Sequence, residues 1–208
     1  MSDLQKPASK VRWAMPLVLL VLACGLPVVA AWVFYLNPDL LPEKRGNFGK
    51  LIEPPYPLRN TRLLTAAGKD FRIEEVQGKW SLLWLTSQPC GSECGAYLHR
   101  MRNIRLALRE NSVRVQSFAI PLTAAGTDAW IKKETEFPGI ILLTGSGNEP
   151  RDLAARFAAA AGLGASQADG FYLVDPLGNL MMRYDTNADF KGMLKDLERL
   201  LKYSQVGR

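Results

Sequence analysis

The pattern of apolar and polar positions opens with a long uncharged run, from Trp13 to Leu36. As a helix rising 1.5 Å per residue, this run would be about 36 Å long, which is enough to cross a bilayer. Trp13 lies at one end and Trp32 and Tyr35 at the other, where interfacial aromatic residues are expected. A cleaved signal peptide has a shorter apolar region. The pattern therefore predicts an uncleaved membrane anchor at residues 13–36.

The orientation of this anchor is less strongly marked, because basic residues flank the run on both sides in nearly equal numbers. They are Lys6, Lys10 and Arg12 before it and Lys44, Arg45 and Lys50 after it. A cytoplasmic tail at residues 1–12 with the larger domain outside is the simpler arrangement. We therefore expect a single-pass protein of a bacterial-type inner membrane, with its soluble domain in the periplasm. Such an oxidising compartment permits disulfides.

Cys24 lies inside the predicted anchor. The tetrapeptide that ends at this cysteine matches a bacterial lipoprotein cleavage site only weakly, because Leu22 is large and the apolar run continues past the cysteine. We interpret Cys24 as a small apolar side chain in a membrane helix.

Two further regions follow the anchor. Residues 37–60 are rich in proline, with the sequence Glu-Pro-Pro-Tyr-Pro near their end. Extended proline-rich chain behaves as a semi-rigid spacer, so these residues are predicted to form a stalk. Residues 61–208 are predicted to form the folded domain.

Strands and amphipathic helices alternate through this domain. The predicted strands are a hairpin at residues 61–73, a buried strand from Trp80, residues 113–120, residues 139–143 and a closing hairpin at residues 171–184. Helices are predicted from the cysteines to about residue 111, near residues 128–136, between residues 148 and 162, and from residue 190. This pattern indicates an α/β fold, a central mixed sheet with flanking helices, and the order of elements resembles that of thioredoxin-like domains.

The charge pattern argues against a nucleic-acid partner. The net charge is +6, but Lys6, Lys10 and Arg12 precede the anchor, and the rest forms no compact cluster interleaved with aromatic residues. The membrane is the partner that the sequence itself indicates.

The candidate chemistry lies in Cys90 and Cys94, which are separated by Gly91, Ser92 and Glu93 and follow the buried strand. The positive end of the helix dipole favours the thiolate form of such cysteines. A thiolate pair can exchange disulfides or hold a soft metal such as Cu(I). A disulfide across so short a loop restrains the unfolded chain very little, so stabilisation explains the pair poorly. The residues favour a redox or metal function and leave the two open.

Several motifs in the predicted domain belong together. They are Gly78-Lys79-Trp80 with its apolar run before the cysteines, Leu98-His99, Leu142-Leu-Thr-Gly145, and Tyr172-Leu-Val-Asp-Pro176. Together they resemble the Sco/SenC family over about residues 60–205. The anchor and stalk are also similar to that family. The resemblance implies a membrane-tethered, thioredoxin-fold protein that assists assembly of the copper centre of cytochrome c oxidase. It also implies copper binding by Cys90 and Cys94 together with a distant histidine, and thiol reductant activity in some members.

The implied third copper ligand is not matched in this sequence. The family's histidine would fall five residues before the Tyr-Leu-Val-Asp-Pro motif, where this chain has Gln167. His99, the only histidine, would lie about 140° around the helix from Cys94 and is predicted to be exposed. Met181 and Met182 are adjacent in the closing hairpin, so one of them is expected to face the core. A Cu(I) site of two cysteines stays open, whereas a nitrogen-rich Cu(II) site is not predicted.

The leading hypothesis is a membrane-tethered protein that supports cytochrome c oxidase assembly by thiol–disulfide exchange. Cys90 would be the attacking thiolate and Cys94 would resolve the mixed disulfide. The expected partner is a cytochrome c oxidase subunit or another cysteine-containing respiratory assembly protein. Two alternatives remain: a Cu(I) metallochaperone that uses the same cysteines, and an assembly scaffold in which the pair has no chemical role.

The predicted orientation is testable with a reporter enzyme that is active only outside the cytoplasm. Fused after Tyr203, alkaline phosphatase is expected to be active, because the anchor would place the domain in the periplasm. The same reporter fused after Lys10 lacks the anchor and should be silent, which gives the background signal. A fusion after Tyr203 that is equally silent would reverse the orientation.

Overall fold

The computed structural model describes residues 11–37, 40, 46–123, 127–145 and 147–204. Two compact units divide the chain, Met1–Gly46 and Asn47–Arg208. Most of the predicted tail, residues 1–10, and part of the predicted stalk, residues 38–39 and 41–45, lie outside the described residues.

The first unit contains the predicted apolar helix, α1, at Val11–Leu36. Its segment Met15–Leu36 has a mean hydropathy of 2.7 and is long and apolar enough to cross a membrane. Pro16 and Pro27 lie within the helix. Proline removes a backbone donor, and membrane helices tolerate it more often than soluble ones do. The predicted N-terminal apolar helix is therefore confirmed.

The second unit is an eight-stranded mixed sheet with helices on both faces. Its strands are β1 Lys50–Pro57, β2 Arg62–Thr65, β3 Asp70–Arg72, β4 Trp80–Thr86, β5 Val115–Pro121, β6 Ile140–Thr144, β7 Gly170–Val174 and β8 Asn179–Tyr184. Its helices are α2 Ser92–Ala107, α3 Thr127–Glu136, α4 Glu149–Ala160 and α5 Phe190–Tyr203. The strand order is β1-β8-β7-β4-β5-β6-β2-β3. The predicted thioredoxin-like arrangement is confirmed.

Strand β4 lies inside the sheet, parallel to β5 and antiparallel to β7. All of its residues are buried, which fits a strand that is covered on both faces. Leu82 and Trp84 pack on the face covered by α2, α3 and α5. Leu83 and Leu85 pack on the other face, with Phe157 of α4. The apolar run that begins at Trp80 therefore joins two hydrophobic clusters.

One boundary predicted from sequence is wrong. The proline-rich stretch at residues 37–60 was predicted to be a stalk, but Lys50–Pro57 is β1 and pairs antiparallel with β8. β1 is an edge strand, and its register is irregular between Leu51 and Tyr56, where Pro54 and Pro55 lie. Proline is tolerated at edges and irregularities because it removes no required ladder donor there.

A buried carboxylate attaches the start of this unit to its last helix. Asp196 of α5 is 3% exposed. It accepts hydrogen bonds from the backbone N–H groups of Phe48 at 2.9 Å and Gly49 at 3.0 Å, and from the Tyr184 hydroxyl at 3.0 Å. Burial, followed by the charge of Asp196, raises the pKa of Tyr184, so its hydroxyl keeps the proton that it donates. A Cβ at Gly49 would lie 2.5 Å from Met182, which explains the glycine beside this carboxylate.

We expect Asp196→Ala to lower the free energy of unfolding of residues 47–208 by about 2–4 kcal/mol, because it leaves buried donors without an acceptor. Urea denaturation followed by circular dichroism would measure the change. Glu198→Ala, which removes an exposed carboxylate from the same helix, is the control and should shift the midpoint little. Equal effects of the two substitutions would contradict a structural role for the buried carboxylate.

Candidate functional site

The cysteine pair lies at the junction between β4 and α2. Cys90 and Cys94 form a disulfide with a Cα–Cα distance of 5.0 Å. Helix α2 begins at Ser92, and its N-cap is Gly91, which has no side chain to cap the helix. Cys90 is half-buried, whereas Cys94 is only 5% exposed. Because the helix begins between the two cysteines, its dipole favours the thiolate form when the pair is reduced.

The loop that carries Cys90 is attached to the sheet by Asp169, which directly precedes β7. The Ser87 backbone N–H donates to both carboxylate oxygens, at 3.1 and 3.0 Å, and the Ser87 hydroxyl donates to Oδ2 at 2.8 Å. Within the loop, the N–H of Gln88 donates to the Thr86 hydroxyl at 3.1 Å. These bonds restrict the loop between β4 and Cys90, so the position of the cysteine depends on a residue of a distant segment.

Aromatic side chains pack beneath the disulfide. The Trp84 ring lies 5.1 Å from Tyr97, 5.4 Å from Trp130 and 5.9 Å from Phe171, between ring centroids. Cys94 belongs to the same hydrophobic cluster as Trp84, Trp130 and Phe171, and Cys90 packs against that cluster. Large packed side chains of this kind fix the floor of the site, and among them Tyr97 is the half-buried ring.

A cleft of about 450 Å³ opens beside the disulfide. Cys94 and the aromatic rings of Trp84, Tyr97 and Trp130 line it, with Glu93 and Asp169 as its charged residues. The remaining lining residues are Thr86, Gln88, Pro89, Gly91 and Thr186. The site therefore combines a disulfide, an apolar floor and a polar rim.

The other candidate ligands lie apart from this cleft. His99 is exposed, as predicted, and its ring contacts Phe137 edge-on at 5.3 Å. Gln167 is exposed in a 3₁₀ turn, where its Oε1 accepts from the Gly164 N–H at 3.4 Å. Met182 is in the core at 3% exposure, and Met181 is half-buried. None of the four side chains lines the cleft.

The donor set limits which metal the site suits. Within the described part of the chain, no group of three or more His, Cys, Asp or Glu residues is placed to hold a metal ion. Reduced Cys90 and Cys94 supply two soft thiolates, which suit Cu(I). Cu(II) favours nitrogen ligands, and no histidine lines the cleft. The residues therefore fit a Cu(I) ion held by two thiolates and do not fit a Cu(II) centre.

Sequence reasoning found the cysteines but missed Asp169 and Trp130. Asp169 is separated from Ser87 by 82 positions, and no local motif signals a bond between them. Trp130 is 1% exposed on α3, and its helix was predicted without assigning this side chain to the site. Only the fold brings these residues to the cysteine pair.

This geometry, a disulfide between a buried strand and the start of a helix in a mixed sheet, defines the class of thioredoxin-like proteins. Residues 80–204 match the family model for the transmembrane-like, thioredoxin-like, C-terminal domain. The chain belongs to this family. A comparison with curated protein sequences gave no match.

Solved structures of Sco proteins share the fold. Copper-bound yeast Sco1 superposes with a TM-score of 0.60 at 19% identity, covering 73% of this chain and 96% of the yeast chain. Apo Sco1 from Thermus thermophilus gives 0.59 at 19% identity, with coverage of 76% and 99%. BsSco, from a study of a disulfide switch, gives 0.53 at 16% identity, with coverage of 73% and 96%. The resemblance to Sco/SenC proteins is therefore confirmed at the level of the fold.

The unequal exposure of the cysteines predicts unequal reactivity. After reduction, a limiting amount of iodoacetamide should label Cys90 well before Cys94, because only Cys90 presents substantial surface. Peptide mass spectrometry would give the ratio, and it also separates both residues from Cys24. In urea the two should react at similar rates, which provides the control. Faster labelling of Cys94 in the folded protein would contradict the expected role of Cys90.

Proposed function

We propose that this protein is a membrane-tethered thiol–disulfide exchange factor that supports cytochrome c oxidase assembly. The observation that carries the proposal is the Cys90–Cys94 disulfide at the start of α2, with Cys90 the more exposed partner. The proposed location is a bacterial-type inner membrane, with residues 13–36 as the anchor and the soluble domain in the periplasm. The expected client is an oxidase subunit or another cysteine-containing respiratory assembly protein.

In the reducing direction, the Cys90 thiolate attacks one sulfur of a client disulfide. A mixed disulfide forms and one client thiolate leaves. The Cys94 thiolate then attacks Cys90 Sγ, which closes the intramolecular disulfide and releases the second client thiolate. Two electrons pass from the protein dithiol to the client, and an upstream dithiol must restore the pair. The same steps in reverse would oxidise a client dithiol.

The surroundings of the pair support these roles. Helix α2 stabilises the thiolates, and the Ser87–Asp169 hydrogen bonds hold the loop that presents Cys90. Burial of Cys94 keeps the resolving thiolate away from solvent. BsSco, whose fold is similar, has a disulfide switch and is a member of the Sco family of cytochrome c oxidase assembly proteins.

A second candidate function is Cu(I) delivery by the same two cysteines. The specific observation in its favour is the similarity to yeast Sco1 with copper bound. Copper would then be cargo held by two thiolates, and a client residue would supply any third ligand. We favour exchange because Gln167, at the position of the family's histidine, does not line the cleft.

The exchange function is tested by mixing the reduced full-length protein, in detergent, with a disulfide-bonded peptide from a candidate client. We expect Cys90→Ser to lower the rate at least about a hundredfold, because the attacking thiolate is lost. Cys94→Ser should stop at a mixed disulfide that is visible by mass spectrometry. If a mixed disulfide accumulated in Cys90→Ser instead, the roles of the two cysteines would be reversed.

Copper delivery is tested by competition between the reduced protein and a Cu(I) chelator of known affinity. Competitive one-to-one binding that is lost in Cys90→Ser would favour the metallochaperone. The scaffold alternative has its own test, in which the double variant Cys90→Ser, Cys94→Ser is expressed in a deletion strain. Full recovery of oxidase activity by this variant would contradict both chemical functions.

A further inference from the structure

The cleft beside the cysteine pair has a charge opposite to that of the protein as a whole. The chain carries a net charge of +6. Among the described residues that line the cleft, the charged ones are Glu93 and Asp169, and none is a lysine, arginine or histidine. Cys94 therefore lines a locally acidic cleft on a basic protein, and Cys90 is bonded to Cys94 through the disulfide.

Glu93 is free to act on a ligand. It is exposed in the first turn of α2, between the two cysteines. Asp169 is half-buried at the rim, where its carboxylate accepts hydrogen bonds from Ser87. Both carboxylates line the same cleft as Cys94, so a charge carried next to an incoming sulfur would enter their field.

Nearby arginine residues do not cancel the negative charge of the cleft. The Arg183 guanidinium donates to the backbone oxygen of Asp169, but it is 6% exposed and is paired with Asp185. The Arg100 guanidinium lies 5.3 Å from the Phe190 ring and 6.0 Å from the Tyr97 ring, and it is not part of the cleft lining.

The floor of the cleft also favours a positively charged ligand. Of the three rings in the lining, Tyr97 is half-buried, whereas Trp84 and Trp130 are only 3% and 1% exposed. Aromatic faces attract ammonium and guanidinium groups and also cover their aliphatic stems. A lysine or arginine side chain would therefore meet the ring of Tyr97 together with the carboxylates of Glu93 and Asp169.

We propose that the cleft selects clients whose reactive cysteine is flanked by lysine or arginine, and that it disfavours acidic peptides and anionic small thiols. This inference rests on the proposed exchange function and names its substrate class. The chemistry is the two-step exchange given above: the client disulfide gains two electrons, the protein dithiol loses them, and the flanking cation only accelerates the encounter and the first attack.

The test compares three peptide disulfides of equal length in which lysine, glutamine or glutamate flanks the cysteine. Each reacts with the reduced full-length protein in detergent, and N-acetylcysteamine serves as a model thiol that corrects for intrinsic peptide reactivity. We expect the lysine peptide to react about tenfold faster than the glutamate peptide at low salt, with the glutamine peptide between them. At 1 M salt, where the Debye length is about 3 Å, the preference should largely disappear.

Two variants that remove the same charge at different places test whether the preference comes from the cleft. Glu93→Gln should reduce the ratio of the lysine rate to the glutamate rate several-fold. It also changes the thiol pKa by removing a nearby negative charge, but that acts on all three peptides alike, so the ratio is the diagnostic quantity. Glu110→Gln removes the same charge from an exposed position beyond the far end of α2 and should leave the ratio unchanged.

Equal corrected rates for the three peptides would overturn the inference while leaving the exchange function intact. Equal effects of Glu93→Gln and Glu110→Gln would also overturn it, because the preference would then come from net charge. If the reduced protein reacted with none of the peptides while the model thiol did, the exchange function itself would fail, and the inference with it.

Discussion

The burial of β4 on both faces is the constraint on which the rest of the structure depends. Leu82 and Trp84 complete one hydrophobic cluster, and Leu83 and Leu85 complete the other, so the strand cannot shift without disrupting both. The chain leaves this strand at Thr86 and reaches Cys90 within one short loop. A rigid strand followed by a helix thus places the cysteine pair.

Electrostatics at the site come from different parts of the chain. The helix dipole of α2 stabilises thiolates, while Glu93, in its first turn, opposes that effect and attracts cations. Asp169 has two roles, since it fixes the loop through Ser87 and also places a second negative charge at the cleft. Loop position and cleft charge are therefore linked through one side chain, and a change at Asp169 alters both.

Local signals account for what the sequence predicted. Residues close together in sequence determine three predicted elements: the buried strand from Trp80, the amphipathic helix α2 and the hairpin that leads into β8. The structure contains all three. The failures involve long-range pairing. The prolines of β1 indicate an extended chain, but only β8 explains why that chain is a strand. Asp169 and Asp196 likewise accept hydrogen bonds from segments distant in sequence, which no periodicity can reveal.

The first three strands protect the sheet against association. Residues 80–204, which match the family model, supply strands β4 to β8, whose outer members are β8 on one side and β6 on the other. β1 covers the open side of β8, and β2 covers the open side of β6. An uncovered strand would offer unpaired backbone groups to a neighbouring chain. A protein truncated to residues 80–204 would therefore expose unpaired backbone groups along β8 and β6. It would tend to aggregate, although it would keep Cys90 and Cys94.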